Sequence, residues 1–370
     1  MNNPAKNHIK QLINNNGPIP FSEFMHAALY TPNIGYYSSS TPKIGAKGDF
    51  ITAPEISPLF GNCIARQINE YIAEHGQISI LELGPGNGTL AASILRNVNL
   101  DSITTYQLLE VSASLKQQQQ QLLQHELQEN YHKIKHIDKL PKNFNGIIIA
   151  NEVADAMPVN RFTTGPDLLE QFVDIQNEKF IPINIKATNS DLISQVNNLD
   201  VNLPHGYSSE TNLAMTSWIK ALSEALQQGL VLLIDYGYPQ LEYYHTERDG
   251  GTLTCFYKQK AHSNPFINIG AQDISAHVDF SLAAKAAVAA NMALIGYCEQ
   301  SHFLMNLGLL DLAQKQYERQ PLLTAKEIKL LTMPNEMGSL CKVLAFGKNL
   351  SEQSLAGFCR YNKVESLFTP

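Results

Sequence analysis

The chain of 370 residues has few cysteines, and none has the close spacing that metal centres and redox motifs require. Its five cysteines are scattered, odd in number and form no C-x-x-C pair. A chain with this cysteine usage is typical of a reducing compartment, where isolated thiols stay buried and reduced. We therefore predict neither a disulfide framework nor a metal site.

Basic runs and long apolar runs are also missing. Lys and Arg number 27 against 34 Asp and Glu, so the net charge is −7, and no cluster of basic residues is visible. This composition argues against a nucleic-acid partner, and the short apolar runs argue against membrane insertion. Residues 1–10 have no apolar signal core and the first arginine is Arg66. We therefore expect a cytoplasmic location.

The most informative stretch that is present runs from Ile78 to Leu90, with the sequence ISILELGPGNGTL. A short apolar segment comes first and is typical of a buried parallel strand. Three alternating glycines follow, Gly84, Gly86 and Gly88, and the next residues have a helical pattern. A strand, a glycine turn and a helix in this order indicate the first half of a nucleotide-binding unit.

The spacing of the glycines distinguishes two kinds of cofactor. A dinucleotide fingerprint would need a third glycine at position 89, where this chain has Thr89. The chain instead has Glu82 two residues before Gly84, the arrangement found in class I methyltransferases that bind S-adenosylmethionine. Glu110 ends the next predicted strand, where a carboxylate can bind both ribose hydroxyls. Without further support, the glycines could still form a plain tight turn.

The remaining pattern predicts a Rossmann-like α/β fold. Apolar segments that alternate with helical ones give a seven-stranded, mostly parallel sheet whose seventh strand is antiparallel. Two stretches near the end, 303–318 and 324–333, are predicted to be helical. We expect a helical and loop segment at residues 1–75, a catalytic domain at 76–347 and a tail at 348–370. Insertions are predicted at about 161–210 and 238–280.

Polar residues at the ends of predicted strands are the candidates for binding a second substrate. Asn151, Glu152 and Asp155 follow an apolar strand, and the carboxyl ends of parallel strands face the ligand crevice. Glu152 could equally contact the cofactor or cap the strand end. Asp235 ends the following strand, and it could be either a helix cap or a second ligand for the acceptor.

Four motifs together resemble one family. GDFITAPEIS at 48–57, ELGPGNG at 82–88, NEVADAMPV at 151–159 and QDISAHVDF at 272–280 are similar to those of the MidA-type methyltransferases. That family includes the mitochondrial complex I assembly arginine methyltransferase, and the resemblance extends over residues 18–346. It implies a class I fold with two insertions, S-adenosylmethionine as cofactor and a protein substrate, for which a subunit of a respiratory complex is the candidate. A homodimer is compatible with this resemblance.

The resemblance also assigns site residues. It implies that the cofactor contacts Glu82, Gly84, Gly86, Gly88, Glu110 and Asn151, and that Gly48 and Asp49 fold over its methionine end, although packing would explain those two equally well. Val153 and Ala154 replace bulkier, often aromatic residues, which puts an aromatic wall at those positions in doubt.

Transfer of a methyl group to arginine requires carboxylates that orient the guanidinium and a group that accepts a proton. We hypothesise that Glu152 and Asp155 hold the guanidinium. His277 and Asp279 would form a proton-accepting pair, unless both belong to a structural loop network. Two other classes stay open: an assembly factor that binds the cofactor without catalysis, and an NAD-dependent oxidoreductase, which Thr89 disfavours.

Overall fold

A computed structural model describes residues 3–39, 52–350 and 355–368. Gly48 and Asp49, which are predicted to cover the cofactor, lie outside the described residues. In chain order the strands are β1 (Ile19–Pro20), β2 (Ile78–Leu83), β3 (Ile103–Leu109), β4 (Ile134–Ile137), β5 (Phe144–Asn151), β6 (Asn160–Thr163), β7 (Leu169–Gln176), β8 (Lys179–Lys186), β9 (Ser208–Thr211), β10 (Leu226–Tyr238), β11 (Thr254–Tyr257), β12 (Lys260–His262), β13 (Asp273–Ser275), β14 (Val278–Asp279), β15 (Ala293–Glu299) and β16 (Cys341–Lys348).

The α-helices connect and cover these strands. They are α1 (Pro4–Asn16), α2 (Phe21–Tyr30), α3 (Ala53–Ile56), α4 (Pro58–His75), α5 (Thr89–Leu95), α6 (Ala113–Leu127), α7 (Ser190–Asn197), α8 (Ala214–Ala225), α9 (Gln240–Tyr243), α10 (Phe280–Ala289), α11 (Gln300–Asn306), α12 (Leu309–Arg319), α13 (Pro321–Thr332) and α14 (Met337–Leu340). No helix in the described ranges combines the length and the apolar character needed to cross a membrane.

The central sheet has the order β4-β3-β2-β5-β10-β16-β15. Its neighbours are parallel from β4 to β10, whereas β16 runs antiparallel to both β10 and β15. The predicted Rossmann-like fold with a seven-stranded, mostly parallel sheet is therefore confirmed. The short strand β14 adds an eighth member, because it pairs in parallel with the end of β10.

Both faces of the central sheet are covered, which explains why its strands are almost continuously apolar. One face packs on α4 and α5, where Ile64 and Ile68 meet Ile80 and Ile147 in one buried cluster. The other face packs on α8 and α10 in a second cluster. The carboxyl ends of β2, β3, β5 and β10 lie at one edge of the sheet, where ligands bind in such folds.

The two predicted insertions form sheets of their own. Strands β6 to β9 lie in the first insertion, and β1 of the N-terminal segment joins them by pairing antiparallel with β7. The second insertion carries the small sheet β12-β11-β13. The N-terminal segment therefore packs on inserted chain, through α2 and a cluster that includes Phe24, Val173 and Ile274. The proposed division at 1–75, 76–347 and 348–370 stays a prediction.

One predicted helix is wrong as a single element. The stretch 303–318 is interrupted after Asn306, and Gly308 has a φ of +72°, which ends α11 and lets α12 start in a new direction. Glycine tolerates this left-handed conformation, whereas other residues rarely adopt it. The apolar periodicity on both sides of Gly308 concealed the break.

Candidate active site

The glycine loop between β2 and α5 adopts a backbone that other residues would resist. Gly84, Gly86 and Gly88 all have positive φ, at +58°, +56° and +90°. The amide of Gly84 donates to the carbonyl of Leu109 at 3.0 Å, which ties the turn to the end of β3. These glycines expose backbone to a ligand at the carboxyl end of the sheet, as the sequence predicts.

Two buried glutamates flank this loop. The phenol of Tyr106 donates to Oε2 of Glu82 at 2.7 Å, and Glu82 is only 2% exposed. Glu110 accepts from the amide of Ser112 at 2.7 Å. Burial is the main cause that raises the pKa of both carboxyl groups, to about 7 for Glu82. A bound cation or ribose hydroxyl would compensate this cost of burial.

Gln119 on α6 connects the glycine loop with Glu110. Its Nε2 donates to the carbonyl of Gly86 at 2.6 Å and to Oε2 of Glu110 at 3.3 Å, while its Oε1 lies 2.9 Å from Nε2 of His136. The side chain therefore fixes Glu110 relative to the glycine loop. No pattern in the sequence marks this residue, because it lies in a glutamine-rich helix whose composition is typical of a solvated surface.

A cavity of about 460 Å³ lies over the loop. It is lined by residues from both sides of the sheet edge, among them Tyr30, Tyr37, Glu82, Gly84, Gly86, Leu109, Glu110, Leu115, Leu140, Asn151, Glu152, Val153 and Trp218. We call this space the donor cavity. Its predominantly apolar wall with a few convergent carboxylates has the character of a small-molecule site.

The donor cavity fits S-adenosylmethionine in its chemistry. Oδ1 of Asn151 is buried and has no hydrogen-bond partner among the described residues, so an acceptor atom is ready for an ammonium group. Glu82 and Glu110 supply carboxylates for a cationic, hydroxyl-bearing ligand. Carboxylates would repel a pyrophosphate, which agrees with the interpretation of Thr89 and argues against a dinucleotide.

Beyond β5 the chain makes a strained turn into a second space. Glu152 has a φ of +52°, a left-handed conformation that is uncommon outside glycine and is often found at functional sites. Its amide donates to the carbonyl of Ile234 at 2.8 Å, which holds the turn against β10. Its Oε1 accepts from the amide of Ala53 at 3.2 Å and from Nδ2 of Asn151 at 3.3 Å.

Asp235 is predicted to be a helix cap or a ligand for the acceptor, and the structure shows that it caps the turn after β5, where the described residues 152–159 form no helix. Its Oδ2 accepts from the amides of Val153, Ala154 and Asp155 at 3.1, 2.9 and 3.2 Å. The residue is fully buried. It thus positions the turn that carries Glu152 and Asp155. It lines neither the donor cavity nor a second cavity on the other side of Glu152.

Substitution of Asp235 with alanine is expected to lower the free energy of unfolding by roughly 2–4 kcal/mol, because three amides of the turn, one of them buried, lose their acceptor. Urea denaturation followed by circular dichroism measures this change. Asp235→Asn keeps an acceptor oxygen and should cost less. An alanine variant as stable as the original chain would contradict the capping role.

A second cavity of about 320 Å³ lies beside the first. We call it the acceptor cavity, and its described lining consists of Tyr37, Glu152, Asp155, Tyr236, Thr254, Phe256, Gln259, Asp273, Ser275 and His277. Three of these residues are carboxylates, and no lysine or arginine occurs in this lining. Glu152 and Tyr37 line both cavities, so the two spaces meet at these side chains.

The structure places only one member of the predicted pair, His277, in the lining of the acceptor cavity, and not Asp279. Asp279 caps α10 by accepting from the amide of Leu282 at 3.0 Å, and it accepts from Nε2 of Gln240 at 3.3 Å, outside the lining of the acceptor cavity. His277 does line that cavity, and its buried Nδ1 has no partner among the described residues. Burial and then the charge of Arg248 lower the pKa of His277 to about 4. A ring with this pKa binds a proton poorly at neutral pH.

Glu210, which lies in β9, joins the two insertions behind His277. Oε1 of Glu210 accepts from the amide and the hydroxyl of Thr252 at 2.6 and 2.7 Å. The same hydroxyl oxygen accepts from the amide of His277 at 2.9 Å. The first insertion therefore fixes the wall that the second insertion contributes to the acceptor cavity.

The buried carboxyl groups predict how stability depends on pH. Burial raises the pKa of Glu82 and Asp235 to about 7 and that of Glu152 to about 8. The folded chain therefore holds protons that the unfolded chain releases, so these groups stabilise the fold at low pH and this stability is lost as pH rises. The lowered pKa of His277 has the opposite effect, because it makes stability rise with pH up to the unfolded pKa of about 6.5. Above that pH, His277 adds no further change in stability.

We therefore expect the urea midpoint to fall between about pH 6.5 and about pH 8. Glu82→Gln should make this decrease smaller, and bound S-adenosylmethionine should do the same because its positive charge favours the ionised carboxylates. A midpoint that rises over this interval would contradict the buried, proton-holding state of these groups.

The fold and the two cavities define a class I methyltransferase, and comparisons with known proteins give the family. A profile of the S-adenosyl-L-methionine-dependent methyltransferases matches residues 63–298, more than half of the chain. A crystal structure of a COG1565 superfamily member from Burkholderia thailandensis bound to S-adenosyl-homocysteine is similar with a TM-score of 0.92 and 32% identity, covering 98% of this chain and 96% of that one.

Two curated mammalian proteins are similar to this chain over most of their length. The protein arginine methyltransferase NDUFAF7, mitochondrial, of Homo sapiens is 30% identical over 96% of this chain and 87% of its own length. The Mus musculus protein of the same name is 30% identical over 90% and 82%. This chain belongs to the S-adenosyl-L-methionine-dependent methyltransferase family that contains them. It is an enzyme of that class, and its cofactor is S-adenosylmethionine.

The predicted cofactor residues in the described part of the chain line the donor cavity or form its loop, and the predicted guanidinium ligands line the acceptor cavity. Their individual roles stay predictions. Sequence reasoning missed Tyr37, Trp218, Tyr236 and Asp273. Asp273 and Ser275 stand in the QDISAHVDF motif, where their alternation with a buried Ile274 could have marked them as facing one side.

Proposed function

We propose that this chain transfers a methyl group from S-adenosylmethionine to an arginine side chain of a protein. The observation that carries this proposal is the carboxylate-lined acceptor cavity, which meets the donor cavity at Glu152 and Tyr37. An acceptor nitrogen in the second space would face the donor across this junction. The names of the curated relatives support the choice of arginine.

A guanidinium suits this lining better than an uncharged acceptor. Glu152, Asp155 and Asp273 bring three carboxyl groups into the lining of this cavity, and their oxygens can accept hydrogen bonds from a guanidinium. A planar guanidinium can bind two carboxylates through paired hydrogen bonds. Tyr236 and Phe256 add aromatic walls on which a guanidinium can stack. These rings come from β10 and β11. They can supply the aromatic wall even though Val153 and Ala154 stand where the family often has aromatic residues.

The reaction needs positioning more than covalent help from the protein. The bound cofactor supplies a methyl group on a positively charged sulfur. Glu152 is placed to orient the attacking nitrogen at the junction, and Asp155 to hold the guanidinium from the side of the acceptor cavity. Both carboxylates also stabilise the positive charge that develops as the acceptor nitrogen gains a carbon.

The finer features of the predicted function belong to the same proposal. They are a subunit of a respiratory complex as the protein substrate, a homodimer and a cytoplasmic location. The mitochondrial names of the curated relatives support a respiratory setting.

The test is incubation of the purified chain with labelled S-adenosylmethionine in an extract of cells that lack it. Mass spectrometry of the labelled proteins should find added methyl groups on arginine. Heat-treated chain in the same extract is the control for other methyltransferases. Label that enters only small molecules, or protein residues other than arginine, would overturn the proposal.

A further inference from the structure

We propose that Glu55 and Asn87 are positioning residues, which hold α3 so that Glu152 is oriented for methyl transfer. This inference rests on the proposed transfer of a methyl group to a protein. Neither Glu55 nor Asn87 is among the site residues predicted from the sequence. They lie in two of the four motifs, at 48–57 and 82–88, and Glu152 lies in a third, at 151–159.

A side-chain hydrogen bond joins α3 to the glycine loop. Nδ2 of Asn87 donates to Oε1 of Glu55 at 2.7 Å. Oδ1 of Asn87 accepts from the amide of Thr89 at 3.1 Å, so both ends of the Asn87 side-chain amide are engaged and its orientation is fixed. Glu55 and Asn87 both line the donor cavity. The bond therefore lies in the wall of the cavity that holds the cofactor.

The first residue of α3 contacts the carboxyl group at the junction of the two cavities. The amide of Ala53 donates to Oε1 of Glu152 at 3.2 Å. Ala53 is buried and lies two residues before Glu55 in a helix of a single turn, Ala53–Ile56. A shift of Glu55 therefore moves the amide that holds Glu152. Through this helix, the position of the glycine loop affects the carboxyl group that faces the acceptor.

The end of α3 is anchored independently of the glycine loop. The hydroxyl of Ser57 donates to Oε2 of Glu327 on α13 at 2.6 Å, and the amide of Ser57 donates to the carbonyl of Ala53 at 3.4 Å. Nε2 of Gln316 on α12 donates to the same oxygen of Glu327 at 2.7 Å. Loss of the bond to Asn87 should therefore shift α3 without unfolding it.

The contact with Ala53 also affects the protonation of Glu152. Burial, and then the charge of Asp155, raise the pKa of Glu152 to about 8, and the hydrogen bond from the Ala53 amide opposes this rise. If the amide moves away, Glu152 stays protonated to a higher pH. The other titratable groups near Glu152 are Asp155 in the same turn, Tyr37 in the N-terminal segment, Asp235 and Tyr236 in β10, Asp273 in β13 and Cys341 in β16. A substitution of Glu55 changes none of these groups.

Substitution of Glu55 with alanine removes the acceptor of the Asn87 bond. We expect the rate of label transfer into the proteins of the deficient extract, at saturating S-adenosylmethionine, to fall about 10-fold. A misplacement of about 1 Å can cost about 100-fold in rate, and α3 should move less than that because it keeps its contact with α13. The acidic limb of the pH–rate profile should move to higher pH, since Glu152 loses a hydrogen-bond donor.

Glu55→Gln separates the hydrogen bond from the charge. Glutamine removes the same negative charge as alanine does, but its carbonyl oxygen can still accept from Nδ2 of Asn87. It should therefore restore most of the rate and of the pH profile. Equal rates for the alanine and glutamine variants would overturn the positioning role, because the hydrogen bond would then have no effect on transfer.

Calorimetric titration with S-adenosylmethionine separates positioning from cofactor binding. The alanine variant should lose much less affinity than rate, and a loss of affinity as large as the loss of rate would overturn the proposal. Glu126→Ala is the matched control, since Glu126 is a half-buried glutamate that accepts from Nε of Arg96 at 2.7 Å and lines neither cavity. Its rate should equal that of the original chain.

The proposed function and the positioning role fail in different ways. If the original chain places no label on protein, the proposed function itself fails. If the original chain labels protein and Glu55→Ala keeps the original rate and pH profile, only the positioning role fails. Urea denaturation of each variant should give a cooperative transition, which shows that a lowered rate does not come from unfolded protein.

Discussion

Replacement of Gly84 with valine is expected to raise the dissociation constant for S-adenosylmethionine by about 100-fold or more. Gly84 has a φ of +58°, and an added Cβ would lie 3.0 Å from Cγ2 of Val153. A β-branched residue in this conformation is strained by about 1–3 kcal/mol, and its side chain would also enter the donor cavity. About 1.4 kcal/mol changes a dissociation constant tenfold. The backbone strain and the exclusion of the ligand by the valine side chain together therefore give the expected loss of affinity.

The control for this substitution is Gly206→Val. Gly206 also has a positive φ, at +86°, but a Cβ there would meet nothing within 4 Å. It therefore introduces similar backbone strain away from both cavities, and its affinity for S-adenosylmethionine should match that of the original chain. Calorimetric titration measures both variants, and equal affinity of Gly84→Val and the original chain would show that the loop is not the cofactor site.

The same variant separates catalysis from a role in assembly alone. A cofactor-binding assembly factor without catalysis was one of the alternatives that the sequence left open. If Gly84→Val loses the cofactor and yet fully restores growth of cells that lack the chain, methyl transfer is not the required activity. We expect no restoration.

The donor cavity could be predicted from the sequence because its main parts are local. The strand β2, the three glycines and the start of α5 lie within a few residues of each other, and Glu110 ends the adjacent strand. Their spacing encodes the turn and the acid directly. Asn151 follows from the rule that polar residues at the carboxyl ends of parallel strands face a ligand.

The acceptor cavity could be predicted only in part, because distant segments build it. Tyr37 comes from the N-terminal segment, Glu152 from the turn after β5, Tyr236 from β10 and Asp273 from the second insertion. Strand-end position pointed to Glu152 and Asp155. No local pattern indicates that β13 contributes Asp273 and Ser275 to this cavity, since that depends on how β11 and β13 pair.

The role of Asp235 also could not be predicted from the sequence alone. An aspartate at the end of a buried parallel strand is compatible with a ligand or with a cap, and the residue type is the same in both cases. The deciding fact is the turn after β5, whose three amides point at one carboxylate oxygen. That turn in turn requires the left-handed Glu152, which the sequence does not mark with a glycine.

Substitution of Glu152 with glutamine is expected to lower kcat/KM for the protein acceptor by about 100-fold or more, because loss of one partner from a buried charge pair costs about 2–5 kcal/mol. Glutamine keeps the shape, and its carbonyl oxygen can still accept from the amide of Ala53. The variant therefore tests the charge at the junction and not the fold of the turn. Transfer of labelled methyl groups to extract protein measures the rate.

The role of Glu152 is decided by comparing two effects of this substitution. One is on the dissociation constant for S-adenosylmethionine, and the other is on the rate of methyl transfer to the acceptor protein. As a guanidinium ligand it should affect transfer much more than the dissociation constant for S-adenosylmethionine, even though it lines both cavities. Glu170→Gln is the matched control, since Glu170 is a buried glutamate that accepts from Asn160 at 2.8 Å in the first insertion and lines neither cavity. Equal losses of donor affinity and transfer rate in Glu152→Gln would make this residue a cofactor contact, and the acceptor would then have to be held by Asp155 and Asp273.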